Sequence, residues 1–324
     1  MDIISLLVLI GSLAGLGWAA DLFVVSASRI GETFRLPKMV VGILLVGFAT
    51  TAPELAVSVQ SAYLGHPEIA LGNALGSVMA DDGLAMALAA IFSVGPMVIE
   101  PRILRSAGLF LISIDVLAYV LAWNGHISRL EGAVLLIILG GYYWWVLWSE
   151  SRRRRGSAAV LGPAKVEDEE SRRYPLRRCC LLFGLGLAGV IAASRLIIWA
   201  ATRFAESLGI PEAVIGLTLI AFGTSLPEMG ACIAAARRGE GQIAVGNILG
   251  ADILNVLWII GMSAAVAPIT VEQKIINFAF PWMLGIVLTM LLLMRIGHRL
   301  TKIKGAVLIL IYAAYVVMIV RGFY

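Results

Sequence analysis

Long apolar runs separated by short polar breaks divide the chain into ten stretches of about the length that crosses a bilayer as a helix. They fall at roughly 3–25, 38–62, 68–93, 104–123, 130–149, 179–200, 212–236, 243–267, 276–294 and 305–321. The first run, Met1 to Ala20, follows no basic leader and reads as a span rather than a cleaved signal. One polar segment stands apart, residues 150–178. Its arginine block (Arg152 to Arg155), small-residue middle and acidic cluster (Glu167 to Glu170) read as a flexible tether. Trp144, Trp145 and Trp148, beside the arginines, read as an interfacial belt.

Composition agrees with the pattern. Of 324 residues, 60% are hydrophobic and 14% charged, where a soluble chain is about a quarter charged. Mean hydropathy is +0.92. That balance excludes a soluble enzyme, a nucleic-acid binder and a secreted disulfide scaffold. The three cysteines, Cys179, Cys180 and Cys232, form no spaced framework and read as packing residues. The net charge of +4 reflects topology. With the 150–178 loop in the cytoplasm and the other loops alternating, 20 of the 25 basic residues lie inside, as the positive-inside rule asks. Both termini are then extracytoplasmic.

The chain also repeats itself. Residues 41–56, VGILLVGFATTAPELA, match 215–230, IGLTLIAFGTSLPEMG, at an offset of 174. The offset carries Ile69-Ala-Leu-Gly-Asn73 onto Ile243-Ala-Val-Gly-Asn247. Across 41–82 and 215–256, 14 of 42 positions are identical without a gap. With small shifts the match reaches Gly125-His126 and Gly297-His298, then Gly132-Ala-Val and Gly305-Ala-Val. The expected fold is therefore an all-α membrane protein of ten transmembrane helices in two repeats of five, 1–149 and 179–324, joined by the 150–178 linker. Five is odd, so the halves insert in opposite directions. Transporters use such inverted repeats because two equivalent half-structures can exchange which side is open.

Five carboxylates fall near span centres: Glu54, Asp81, Asp82, Glu228 and Asp252. Each costs roughly 2.5–3.5 kcal/mol there, and no set of buried Lys or Arg is available to offset them. The missing counter-charge reads as the substrate, a cation or protons. Pro53 and Pro227 precede the two glutamates, and a proline frees the carbonyl four residues back, here those of Ala49 and Gly223. Thr50, Thr51, Thr224 and Ser225 add hydroxyls in the same turn. Carbonyls, hydroxyls and carboxylates at a kinked helix suit hard cations such as Na⁺ and Ca²⁺. Asn73, Ser77 and Asp81 recur every four residues on one face of span three, and Asn247, Ala251 and Asn255 take the matching places in span eight.

These paired T-[TS]-x-P-E and G-N-x-x-G blocks resemble the two α-repeats of the sodium/calcium exchanger branch of the calcium:cation antiporters. The resemblance implies exchange of about three Na⁺ for one Ca²⁺, with spans one and six sliding across the core. It implies ligands at Gly47, Thr50, Thr51, Glu54, Ser77 and Asp81 in the first repeat. In the second they fall at Ala221, Thr224, Ser225, Glu228, Ala251 and Asn255, Gly47 and Ala221 through backbone carbonyls only. Relatives typically carry Asn at 81 and Asp at 255, an arrangement exchanged here, and Ala251 replaces an expected Ser. Asp82 and Asp252 are additional; each is either a direct ligand or a residue lining the ion path.

The expected function is a secondary antiporter exchanging Na⁺ for Ca²⁺, in a prokaryotic inner membrane, with no cofactor beyond the transported ions. The alternative is a proton-coupled antiporter of Ca²⁺ or another divalent cation, motivated by the extra acids and the lost hydroxyl. A membrane enzyme fits poorly: His66, His126 and His298 sit at helix ends and no H-E-x-x-H occurs. A channel fits less well than a pocket built on two carboxylate-bearing kinks.

Overall fold

The computed structural model describes residues 3–161, 175–207, 223 and 225–322. They form helices joined by short turns. α1 is Ile3–Thr33. The second span is a composite of α2, Lys38–Val41, a π-helical turn, Gly42–Val46, and α3, Gly47–Tyr63. α4, Pro67–Ala80, runs through a π turn, Asp81–Ala85, into α5, Met86–Phe92. α6, Pro101–Ala122, and α7, Arg129–Leu161, complete the first half.

The second half follows with α8, Leu176–Ser207, and α9, Leu226–Arg237. α10, Gly241–Leu254, continues through a π turn, Asn255–Ile259, into α11, Ile260–Val266. A π turn, Ile275–Ala279, leads into α12, Phe280–Arg295, and α13 is Lys302–Gly322. Among the described residues, eight helices are long and apolar enough to cross a membrane. Lys38–Tyr63, bent by 47° between Ala52 and Glu54, makes a ninth if counted as one span. The bend falls at Pro53, as the missing N–H requires. Residues 212–222 of the expected seventh span, and 162–174 of the linker, lie outside the described residues. Several helices overrun their expected ends. α1 continues to Thr33 and α7 to Leu161, because polar ends can stay helical beyond the apolar stretch.

Spans three and eight make the centre of the bundle. The most apolar stretch of Gly241–Val266 is 94% buried and that of Pro67–Phe92 is 72%, against 17–39% for the other single-helix spans. Glycine permits the tightest contact. A Cβ on Gly250 would stand 2.7 Å from the Ile43 carbonyl oxygen. Cβ atoms on Gly42 and Gly246 would collide with the carbonyl oxygens of Ile243 and Met39. Backbones approach this closely only where there is no side chain, the small-residue packing typical of membrane helices. α1 packs lengthwise on α8 and rests on α9.

The internal repeat is visible in local structure. The π turns at 81–85 and 255–259 stand 174 residues apart. Gly65 and Gly239 both take positive φ (93° and 74°), as do Gly125 and Gly297 (81° and 69°). Two short antiparallel ribbons join the halves: β1, Met97–Val98, pairs with β4, Arg299–Leu300, and β2, His126–Ile127, pairs with β3, Ile269–Thr270. Helices are exchanged in the same sense. Gly132 of α7 lies against the Gly261 backbone, and Gly305 of α13 against the Ala87 backbone.

Candidate ion-binding site

Glu54 follows the Pro53 bend, and Glu228 lies in the first turn of α9, which begins at Leu226 with Pro227 inside that turn. Proline is suited to this position, where its missing N–H costs no helical bond. Both carboxyls are buried, at 2% and 0% exposure. Ser77 Oγ donates to Glu54 Oε1 at 3.0 Å, and Thr51 Oγ1 donates to Glu228 Oε1 at 3.4 Å. The second contact crosses from the first half to the second. Thr50 Oγ1 lies 3.2 Å from the Val46 carbonyl, 3.3 Å from that of Gly47 and 3.4 Å from Asn247 Oδ1.

Asp81 opens the π turn of span three and has Glu228, Glu54 and Asp82 as acidic neighbours, with Ser225 facing it. Asn255 opens the corresponding turn of span eight, and both are fully buried. A π turn widens the helical hydrogen-bond pattern and is often found at functional sites. Asn73 donates to Ser58 Oγ at 3.0 Å, and Asn247 to Cys232 Sγ at 3.2 Å. Both partners are likewise 174 residues apart, so each asparagine makes the same bond within its own half. Asn247 Nδ2 also lies 3.4 Å from the Glu228 carbonyl.

The structure thus gathers Thr50, Thr51, Glu54, Ser77, Asp81, Ser225 and Glu228 around one centre, with Asn255 buried at the π turn matching Asp81. Gly47 is in tight backbone contact with α10, and its carbonyl lies beside Thr50. Ala221 and Thr224 lie outside the described residues. Asp82 and Asp252 are buried and face one another. Sequence reasoning missed a sixth buried acid, Asp115 of α6, at 0% exposure; it lies within the expected span 104–123 but outside the repeated blocks. It also missed Asp21 in the first span, whose carboxylate pairs with Arg238 Nε at 3.1 Å. Among the described residues no lysine or arginine is buried. No three of their acidic, histidine or cysteine side chains converge tightly enough to close on a metal ion.

Apolar helices enclosing buried carboxyls define an integral, multi-pass membrane protein with a polar core. The chain belongs to the sodium/calcium exchanger protein family, whose model matches residues 4–148 and 179–321. It is 30% identical to the sodium/calcium exchanger MaX1 of Methanosarcina acetivorans, over 98% of this chain and 99% of that one. It is 32% identical to the inner membrane protein YrbG of Escherichia coli, over 78% of this chain and 76% of the relative. Its fold is similar to that of the sodium-calcium exchanger NCX_Mj, with a TM-score of 0.81 at 26% identity, covering 98% and 99% of the two chains. MaX1 and NCX_Mj are exchangers rather than enzymes.

Proposed function

We propose that the protein is an antiporter exchanging Na⁺ for Ca²⁺ by alternating access. The observation that carries this reading is the Thr51–Glu228 contact. It brings one glutamate from each half, both buried, around a common set of hydroxyls at bilayer depth. Glu54 and Glu228 bridge Ca²⁺. Thr50, Thr51, Ser77, Thr224, Ser225, Asp81, Asn255 and the carbonyls of Gly47 and Ala221 supply further oxygens toward its usual six to eight. Na⁺ uses overlapping oxygens, so occupancy by one ion excludes the other. The names of MaX1 and NCX_Mj support these two ions.

In this reading ten spans form two inverted halves, 1–149 and 179–324, with 150–178 as a cytoplasmic linker. Both termini are extracytoplasmic, in a prokaryotic inner membrane. The ribbons support the inversion. β1 follows the third span and β4 precedes the tenth, and only opposite insertion of two five-span halves puts both on one face. The same holds for β2 and β3 on the other.

The test is ⁴⁵Ca²⁺ uptake into proteoliposomes loaded with Na⁺, against vesicles loaded with K⁺ or choline, with and without a pH gradient. Uptake is expected only from Na⁺-loaded vesicles. Uptake that follows the pH gradient instead would replace Na⁺ by protons as the coupling ion.

A further inference from the structure

Two arginines, one from each half, end a groove on the outer surface of the bundle. Pro101 opens α6 just after β1, and Arg295 closes α12 just before β4, so the β1–β4 ribbon puts these two helix ends at one membrane edge. Toward the opposite edge Tyr119 and Phe280 stack, with ring centroids 5.1 Å apart, and close the helix pair. Nearer the ribbon the two helices leave a groove of about 290 Å³. Its walls are Leu109 and Ile112 of α6 and Leu288 and Leu292 of α12. Gly108 lies at its floor, where a Cβ would stand 3.1 Å from Leu291 Cδ2. Leu109 and Leu292 are each 60% exposed on the bare protein, so in a bilayer the groove faces acyl chains. Arg105 and Arg295 line its ribbon end. Both are exposed, no carboxylate lines the groove, and neither has an ion-pair or hydrogen-bond partner among the described residues.

The chemistry of an occupant follows from these two parts. Topology accounts for arginines at this edge one at a time; it does not account for an apolar groove that ends between two of them. Guanidinium forks match phosphate oxygens in pairs, and basic pockets between transmembrane helices take anionic headgroups. From Leu104 to Ile112 the groove follows about 12 Å of helix, most of the roughly 15 Å of hydrocarbon in one leaflet. That depth suits an acyl chain joined to the phosphate, whereas a soluble phosphate would leave the leucines uncovered. α12 touches the π turn that bears Asp81, and α6 touches the one that bears Asn255. An occupant of the groove therefore braces two helices that lie behind the ion centre.

We propose that the α6–α12 groove binds one anionic glycerophospholipid, its phosphate held between Arg105 and Arg295 and one acyl chain lying over Gly108. It comes from the leaflet on the β1–β4 side, the cytoplasmic one in the orientation proposed above. The site stands whichever ions the centre exchanges.

The test is native mass spectrometry of the purified full-length chain in detergent, titrated with phosphatidylglycerol or with phosphatidylcholine of equal chain length. Wild type should retain one phosphatidylglycerol per chain in preference to phosphatidylcholine. Arg105→Gln and Arg295→Gln should each weaken retention about 10-fold, the effect of losing a charge-assisted hydrogen bond. Ile112→Trp, which fills the groove and leaves both arginines, should weaken it as well. Arg299→Gln removes an exposed charge at the same edge but outside the groove, and should retain the lipid as wild type does. Because the lipid binds the folded state, it should raise the melting temperature of wild type but not of the double arginine variant. An equal loss in Arg299→Gln, or equal retention of the two lipids, would reduce the site to a general attraction for anionic lipid and overturn the proposal. Displacement by soluble glycerol phosphate would overturn it too, as an anion site without a lipid. If Ile112→Trp fails to fold, the arginine variants decide.

Discussion

The two halves share a scaffold but not a set of donors. Their π turns, positive-φ glycines, asparagine contacts and glycine-to-backbone seams recur at matching places. The donor residues do not all recur. Ser77 donates to Glu54, whereas its counterpart in sequence is Ala251, which has no hydroxyl; Thr51 of the first half donates to Glu228 of the second. Asp81 faces Asn255 across the same relation. The geometry of such a site can be duplicated while individual hydroxyl and carboxyl positions differ between the copies. A repeated pair therefore need not bind ions symmetrically.

The largest effects should come where the halves agree. Glu54→Gln and Glu228→Gln should each reduce ⁴⁵Ca²⁺ uptake beyond the roughly 10–100-fold cost of losing a partner behind a metal ligand, with folded protein retained on size exclusion. Substantial exchange by either variant would remove the glutamates from the centre. Next comes the exchanged pair. Asp81→Asn should impair uptake, and adding Asn255→Asp should restore part of it. A double variant no better than the single would break the equivalence of the two positions.

Donor asymmetry predicts a smaller difference. Thr51→Val and Ser77→Ala should each weaken Ca²⁺ binding by about 10-fold, as expected for a hydrogen bond to a charged group. Ala251→Ser, which restores the expected hydroxyl, should strengthen Na⁺ competition in the same assay. Equal losses are expected from the matched seams. Gly132→Ala and Gly305→Ala each place a methyl against backbone, at a cost of about 1–3 kcal/mol, read as similar falls in melting temperature. Unequal falls would show that the scaffolds differ too. The smallest effect belongs to Asp21→Asn. Asp21 and Arg238 are 45% and 43% exposed, and an exposed pair contributes about 0–1 kcal/mol.

Much of this was legible because it depends on local pattern. The TTAPE and GTSLPE blocks announce a hydroxyl-rich turn with a carboxylate, and the 174-residue offset announces two copies. Asp115 was equally available: one aspartate within LISIDVLAYV costs as much at bilayer depth as those that were noticed. It escaped because nothing repeats it in the second half. The π turns were not legible. Their widened hydrogen bonding depends on tertiary packing, which residue type alone does not encode. Nor was the Asp21–Arg238 pair, since its partners lie 217 positions apart and outside any motif.

The crossed ribbons bear on how the protein is made. Met97 and Val98 emerge from the ribosome about 200 residues before Arg299 and Leu300, roughly 10–40 s at ordinary synthesis rates. Through that interval the helices of the first half sit in the membrane with β1 lacking its partner and α5 lacking α13, whose Gly305 packs against Ala87. The first half is thus an assembly intermediate rather than a finished unit. A chain ended after residue 149 should be cleared by membrane proteases faster than the full chain in a pulse-chase experiment, and co-expression of 150–324 should slow that loss.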